Sequence, residues 1–164
     1  MKVLILCGGL GTRLAEETVI KPKPMVNIGS KPILWHLIKY FNYYGFKDFI
    51  LASGYKSNII SNYFKKNPVS NCNVKVHFTG KNTLTGGRVL RLKKIMGDQD
   101  FIATYGDGLS NVNIRDLIKF HKKHKGIVTL TAVRPPVRFG ELKILPNNMV
   151  FDFKEKPQAT QNWI

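Results

Sequence analysis

No stretch of this sequence approaches the length of apolar residues that spans a bilayer, and the apolar run at its start, Val3 to Cys7, is shorter than a signal-peptide core and gives way at once to glycines. A membrane span and a secretory leader are therefore not expected, and the chain reads as cytoplasmic. Cysteine is scarce. Cys7 sits in an apolar run and Cys72 in a polar loop, a spacing that suggests neither a disulfide framework nor a zinc site and fits a reducing compartment. Acidic residues are few as well, 10 Asp and Glu against 26 Lys and Arg, for a formal charge of +16. An excess of this size turns attention to polyanions and phosphorylated ligands. Long basic tracts are missing too, however, and the local group Lys119, Lys122, Lys123 and Lys125 reads as a solvated helix end. Neither nucleic acid nor a membrane surface is the expected partner.

The chain does have the means to build a core. With 43% apolar residues in 164, one folded unit over residues 1–164 is expected. Short strand-like runs (Lys2 to Cys7, Asp48 to Ser53, Val74 to Phe78, Asp100 to Tyr105, Ile127 to Val133) alternate with helix-period segments (Pro32 to Tyr44, Asn58 to Lys66, Arg88 to Met96, Ile114 to His124). That alternation predicts an α/β fold, a Rossmann-like, doubly wound, mainly parallel sheet with helices on both faces. Past Pro135 the pattern changes to two short strands, Phe139 to Leu145 and Met149 to Lys154, joined at Pro146-Asn147-Asn148 as a hairpin.

In a doubly wound sheet the ligand crevice lies beyond the carboxyl ends of the strands, which is where the unusual residues fall. The first strand leads into Gly8-Gly9-Leu10-Gly11-Thr12-Arg13, where glycines permit φ > 0 and close approach of N–H groups to phosphate oxygens. It is not a P-loop, having no Gly-Lys-Ser/Thr ending. Nor is it a dinucleotide fingerprint, because Leu14 follows Arg13 and Ser53-Gly54 stands where a ribose-binding acid would close the second strand. A tight structural turn is the alternative, and Arg13, built for bidentate phosphate contact, argues against it. In Lys21-Pro22-Lys23-Pro24-Met25 the prolines predict an extended, non-helical stretch that presents Lys21 and Lys23 either to an anion or to solvent.

The order Gly-Gly-x-Gly-Thr-Arg-Leu, Pro22-Lys23-Pro24-Met25 and Lys31-Pro32-Ile33-Leu34 resembles the sugar-1-phosphate nucleotidyltransferase family. Glu16-Glu17-Thr18, Trp35-His36, Thr85-Gly86-Gly87-Arg88, Tyr105-Gly106-Asp107-Gly108, Phe139-Gly140 and Glu155-Lys156-Pro157 bring the resemblance closest to its glucose-1-phosphate cytidylyltransferase branch. The resemblance implies transfer of a cytidylyl group from CTP to glucose 1-phosphate, with Mg²⁺ as cofactor, giving CDP-glucose and pyrophosphate for surface polysaccharide. It implies that Gly8, Gly9, Gly11, Thr12 and Arg13 bind nucleotide, that Arg13 and Lys23 are catalytic, and that Gly86 and Gly87 lie against the base. It further implies that Asp107 binds the metal and that Gly140, Glu155 and Lys156 face the sugar phosphate.

Members of that family are longer and carry a second metal-binding Asp further on. The sheet is therefore expected to be incomplete at its C-terminal end and the sugar-binding part largely missing, with a nucleotide-binding domain that does not turn over as the alternative reading. Surface left by an incomplete sheet leaves homo-oligomerisation open. Lys81-Asn82-Thr83-Leu84 is shorter than the segment expected in the cytidylyl branch, which leaves open a different triphosphate or sugar phosphate. The remaining residues read plainly: His121 and His124 as surface, Trp35, Phe41, Tyr43 and Tyr44 as core and helix packing rather than a base-stacking platform, and Cys7 as a small core residue.

Overall fold

The computed structural model describes residues 1–11, 20–134 and 141–155. The chain forms two compact units, Met1–Leu117 and Ile118–Ile164. In the first, β1 (Lys2–Cys7), β4 (Asp48–Ser53), β5 (Asn73–Phe78) and β6 (Phe101–Tyr105) form a parallel sheet in the order β5-β4-β1-β6. Register runs Val3 opposite Phe49 on one side of β1 and Val3 opposite Ile102 on the other. Between β1 and β4 lie the two-residue ladder β2 (Asn27–Ile28) with β3 (Lys31–Pro32), and α1 (Ile33–Tyr43). α2 (Ser57–Lys66) links β4 to β5, and α3 (Thr85–Arg91) with α4 (Lys93–Met96) links β5 to β6.

β1 and β4 are the central strands, buried on both faces, which is why each reads as a continuous apolar run instead of an alternating one. Leu4, Ile50 and Ala52 pack with Leu92 and Met96 on one face. Strand alternation turns Val3, Ile5, Phe49 and Leu51, all fully buried, to the other. Leu34, Leu37, Ile38 and Phe41 form the buried stripe of α1, and Ile60 and Phe64 that of α2. The chain winds outward from β1 through β4 to β5 and then crosses back to β6. The order therefore reverses beside β1, and the crevice belongs at the carboxyl ends of β1 and β6.

α5 (Ile114–His124) falls where its period predicts. Asn113 caps it, its side-chain oxygen accepting from the N–H groups of Arg115 (3.1 Å) and Asp116 (3.4 Å). Asp116 in the first turn and four basic residues in the last complement the helix dipole. In the second unit β7 (Glu141–Ile144) and β8 (Val150–Lys154) pair as the expected antiparallel hairpin.

Four expectations need correction. Residues 127–133 form no strand. The segment is rich in β-branched residues but has no ladder partner among the described residues, and Ile127 is 98% exposed. The helix expected over Arg88 to Met96 begins earlier, at Thr85, and is broken at Leu92, whose N–H closes back onto Val89 O (3.0 Å). That tighter turn keeps Leu92 and Met96 together in the core. The segment Lys21 to Met25 is not uniformly extended: Lys23–Met25 is a 3₁₀ turn after an extended Pro22, since a proline early in a helical turn removes only an N–H that would have no partner there. Tyr43, expected in the core, is 77% exposed, whereas Phe41 is buried as expected.

Candidate active site

At the reversal point a cleft of about 600 Å³ opens, bounded by the end of β1 (Leu6 to Gly9, with Gly11), the turn Lys23-Pro24, the start of α3 (Thr83 to Thr85, with Arg88) and the end of β6 (Tyr105, Asp107). Four of the residues singled out from sequence as nucleotide or metal ligands, Gly8, Gly9, Gly11 and Asp107, thus line one cavity together with Lys23.

The glycines do different jobs. Gly11 has φ +71°, a left-handed conformation that disfavours any side chain. Gly8 and Gly9 do not use that freedom. A Cβ at Gly8 would come within 2.3 Å of Arg88 Nη1, so glycine there makes room for a guanidinium. Gly9 is exposed, with nothing within 4 Å of a Cβ position. Gly106 is a third case: a Cβ there would meet Pro24 Cγ at 2.8 Å and Cys7 Cβ at 3.1 Å. Its absence lets the buried Pro24 pack against the end of β6, where Gly106 N–H continues the ladder to Leu6 O (2.9 Å). That packing brings Lys23 onto Asp107, and the two form an ion pair, each about one third exposed. Further on, the Tyr40 hydroxyl donates to Val112 O and ties the segment after Asp107 to α1.

The wall opposite is organised by Arg88, which is 5% exposed. Its Nη1 donates to Thr79 Oγ1 (2.7 Å), Gly80 O (2.7 Å) and Ser53 O (3.1 Å), and its Nη2 to Gly8 O (2.9 Å) and Lys81 O (3.3 Å). Desolvation lowers its pKa, with the Arg91 charge acting in the same direction and Cys7 opposing. Arg88 belongs to the Thr85-Gly86-Gly87-Arg88 motif, which by itself assigns it no task. A signal was present: Arg88, Leu92 and Met96 are spaced i, i+4, i+8, so the arginine sits on the stripe that a helix turns inward.

Cys7 is buried as expected, and burial pushes its thiol up to about 12, partly offset by Arg88. A thiol so raised stays protonated in the fold while the unfolded chain ionises near pH 8.5, so its contribution to stability is intact below that pH and lost progressively up to about pH 12. In a Cys72→Ser background, which removes the half-exposed second thiol, an aromatic disulfide reagent at pH 8 is expected to label Cys7 only as fast as the protein unfolds; a fast phase with denaturant absent would contradict this.

Gly86 and Gly87 lie in the first turn of α3, next to the lining residues Thr83, Leu84 and Thr85. Thr12, Arg13, Gly140 and Lys156 fall outside the described residues, and Glu155 is exposed in the second unit. His121 Nδ1 and His124 Nε2 both bond Thr129 Oγ1 (2.8 and 2.6 Å). No group of three metal-ligating side chains occurs among the described residues. Trp35 is flanked by Lys31 and Lys39, each 6.0 Å from its ring.

Comparison with known proteins gives the family of the chain. Glucose-1-phosphate cytidylyltransferase of Salmonella typhimurium (strain LT2) is 43% identical to this chain over 97% of its length, and the match spans 70% of that protein. A protein of Bacillus subtilis (strain 168) named "Probable glucose-1-phosphate cytidylyltransferase" is 42% identical with the same coverage. Among solved structures, HddC from Yersinia pseudotuberculosis complexed with GMP-PN superposes with a TM-score of 0.64 at 32% identity, covering 96% of this chain and 70% of that one. The model of the Nucleotidyl transferase family matches residues 2–164, and this chain belongs to that family.

Proposed function

We propose that this protein transfers a cytidylyl group from CTP to glucose 1-phosphate, forming CDP-glucose and pyrophosphate as a precursor for surface polysaccharide. The observation that carries this reading is the cleft in which Lys23 and Asp107 face the glycine loop, on a chain 43% identical to a glucose-1-phosphate cytidylyltransferase. In the reaction a phosphate oxygen of the sugar phosphate attacks the α-phosphorus of the triphosphate, and the bond from that phosphorus to the bridging oxygen breaks, releasing pyrophosphate. The nucleophile is already an anion at neutral pH, so no general base is required and none is assigned. The protein's tasks are alignment and charge neutralisation.

N–H groups at Gly8, Gly9 and Gly11, with Thr12, bind the triphosphate. Lys23 and Arg13 neutralise charge at the α-phosphate. Gly86 and Gly87 support the base beside Thr83 to Thr85, while Gly140, Glu155 and Lys156 receive the sugar phosphate. Asp107 offers one hard oxygen donor to the cleft, and no second carboxylate joins it among the described residues. That donor set fits Mg²⁺ held chiefly by phosphate oxygens. When bound, the ion would offset triphosphate charge. Because Lys23 and Asp107 neutralise one another in the free protein, a nucleotide that draws Lys23 onto its phosphates leaves the carboxylate free to ligate.

The test is pyrophosphate release by the purified chain with Mg²⁺ and glucose 1-phosphate, comparing CTP, UTP, dTTP, ATP and GTP. Release with CTP alone is expected. Release with another triphosphate would move the base preference and keep the reaction, whereas binding without release would leave a nucleotide-binding domain.

A further inference from the structure

Arg88 is a buried cation with no carboxylate partner among the described residues, an arrangement that is costly unless polar groups surround the charge. Here the compensation comes almost entirely from backbone. Its acceptors lie just beyond the ends of three parallel strands: Gly8 after β1, Ser53 at the end of β4, and Thr79, Gly80 and Lys81 after β5. One planar fork thus joins the carboxyl edge of the sheet at the point where the cleft opens. A lysine could not do this, because its ammonium is a single point and cannot reach acceptors on both sides.

The contact with Gly8 has a directional consequence. Gly8 O accepts from Arg88 Nη2 (2.9 Å) and also from Tyr55 N–H (3.2 Å), so this carbonyl is held from two directions on the buried side of the loop. A peptide unit is planar and trans, so the N–H of Gly9 points opposite to the C=O of Gly8. Gly9 is exposed, it lines the cleft, and its N–H has no partner among the described residues. Between two glycines a peptide is freest to rotate, and a rotated Gly8–Gly9 unit would show an anion a carbonyl oxygen in place of a donor. The fold makes room for the lock. Side chains at Gly8 and Gly54 are missing where a Cβ would come within 2.3 and 2.6 Å of Arg88 Nη1.

We propose that Arg88 is a positioning residue for nucleotide binding: it locks the Gly8–Gly9 peptide with its N–H toward the cleft, so that the loop meets the triphosphate as a preformed donor. This rests on the reading of the cleft as a triphosphate site. The test is a titration of the ¹⁵N-labelled full chain with inorganic triphosphate, following the Gly9 amide by NMR, for wild type and Arg88→Lys. In wild type the Gly9 resonance is expected to shift on binding. In the variant affinity should fall tenfold or more while resonances of β1 and β4 stay in place, which a general loss of folding would not produce.

Wild-type affinity in a folded Arg88→Lys, or a Gly9 amide that ignores triphosphate in wild type, overturns the lock. If Arg88→Lys does not fold, Thr79→Val decides, since it removes one acceptor of Arg88 and alters no residue of the cleft. Weakening by threefold or more supports the lock, and unchanged affinity overturns it. The pyrophosphate-release assay judges the triphosphate reading separately, because turnover with a silent Gly9 amide would sink the lock and keep the function.

Discussion

Lys23→Ala is expected to lower turnover with triphosphate and sugar phosphate by roughly 10²–10³-fold, the scale of removing one preorganised donor from a developing oxyanion. The reason is positional. Lys23 opens a 3₁₀ turn and lies between two buried prolines, one of them packed against Gly106, so its ammonium is delivered to the cleft on a stiff support. On the proposed function, an ammonium held in place would neutralise charge at the α-phosphorus without reorganising during the reaction. Removing it also leaves Asp107 without its ion-pair partner, which makes the cleft more negative and opposes entry of an anion. Both effects reduce kcat/KM. Steady-state kinetics of pyrophosphate release check the prediction, with circular dichroism to confirm the fold; turnover within threefold of wild type would remove Lys23 from the chemistry.

Gly54→Ala is expected to destabilise the protein by about 3 kcal/mol, the upper part of the range for forcing a methyl into a packed interior. A Cβ at this position would meet Gly8 O at 2.6 Å, Gly80 O at 2.7 Å and Arg88 Nη1 at 2.6 Å. Two of these are backbone atoms at strand ends, and the third is the fork that joins them, so none can yield without breaking hydrogen bonds beside the glycine loop. The melting temperature should fall by roughly 6–12 °C for a chain of this size. Gly9→Ala is the contrast, since nothing lies within 4 Å of its Cβ position and its φ is not in the left-handed region. Its stability should change by less than about 0.5 kcal/mol. A pair of thermal melts measures both, and equal stability of the two variants would mean that the strand ends are not packed around Arg88 as described.

The fold was legible where one physical signal dominates. Lys2 to Cys7 and Asp48 to Ser53 are apolar runs bounded by turn residues, and both are strands with the predicted ends. Ile114 to His124 carries a helical period, an Asn cap and charges of the right sign at each end, and it is a helix over that span. Residues 127–133 carry strand composition, but a strand also needs a hydrogen-bonded neighbour, which composition does not supply. The early start of α3 was hidden by Gly86 and Gly87, which local preference keeps out of helices. In the structure that turn is anchored from behind by the five hydrogen bonds of Arg88.

The site divides in the same way. The doubly wound order of elements, the glycine loop after β1, a lysine stiffened by prolines, and a carboxylate between glycines after β6 are all readable from the residues alone, because each is a local pattern of residue type and spacing. It takes the folded chain to show that Lys23 pairs with Asp107, that Gly106 is a glycine for the sake of Pro24, and that Gly8 and Gly54 are glycines for the sake of a buried arginine from α3. Those facts concern distances between residues 34 to 84 positions apart in the chain, and such distances follow from how the strand ends converge, which no local pattern encodes.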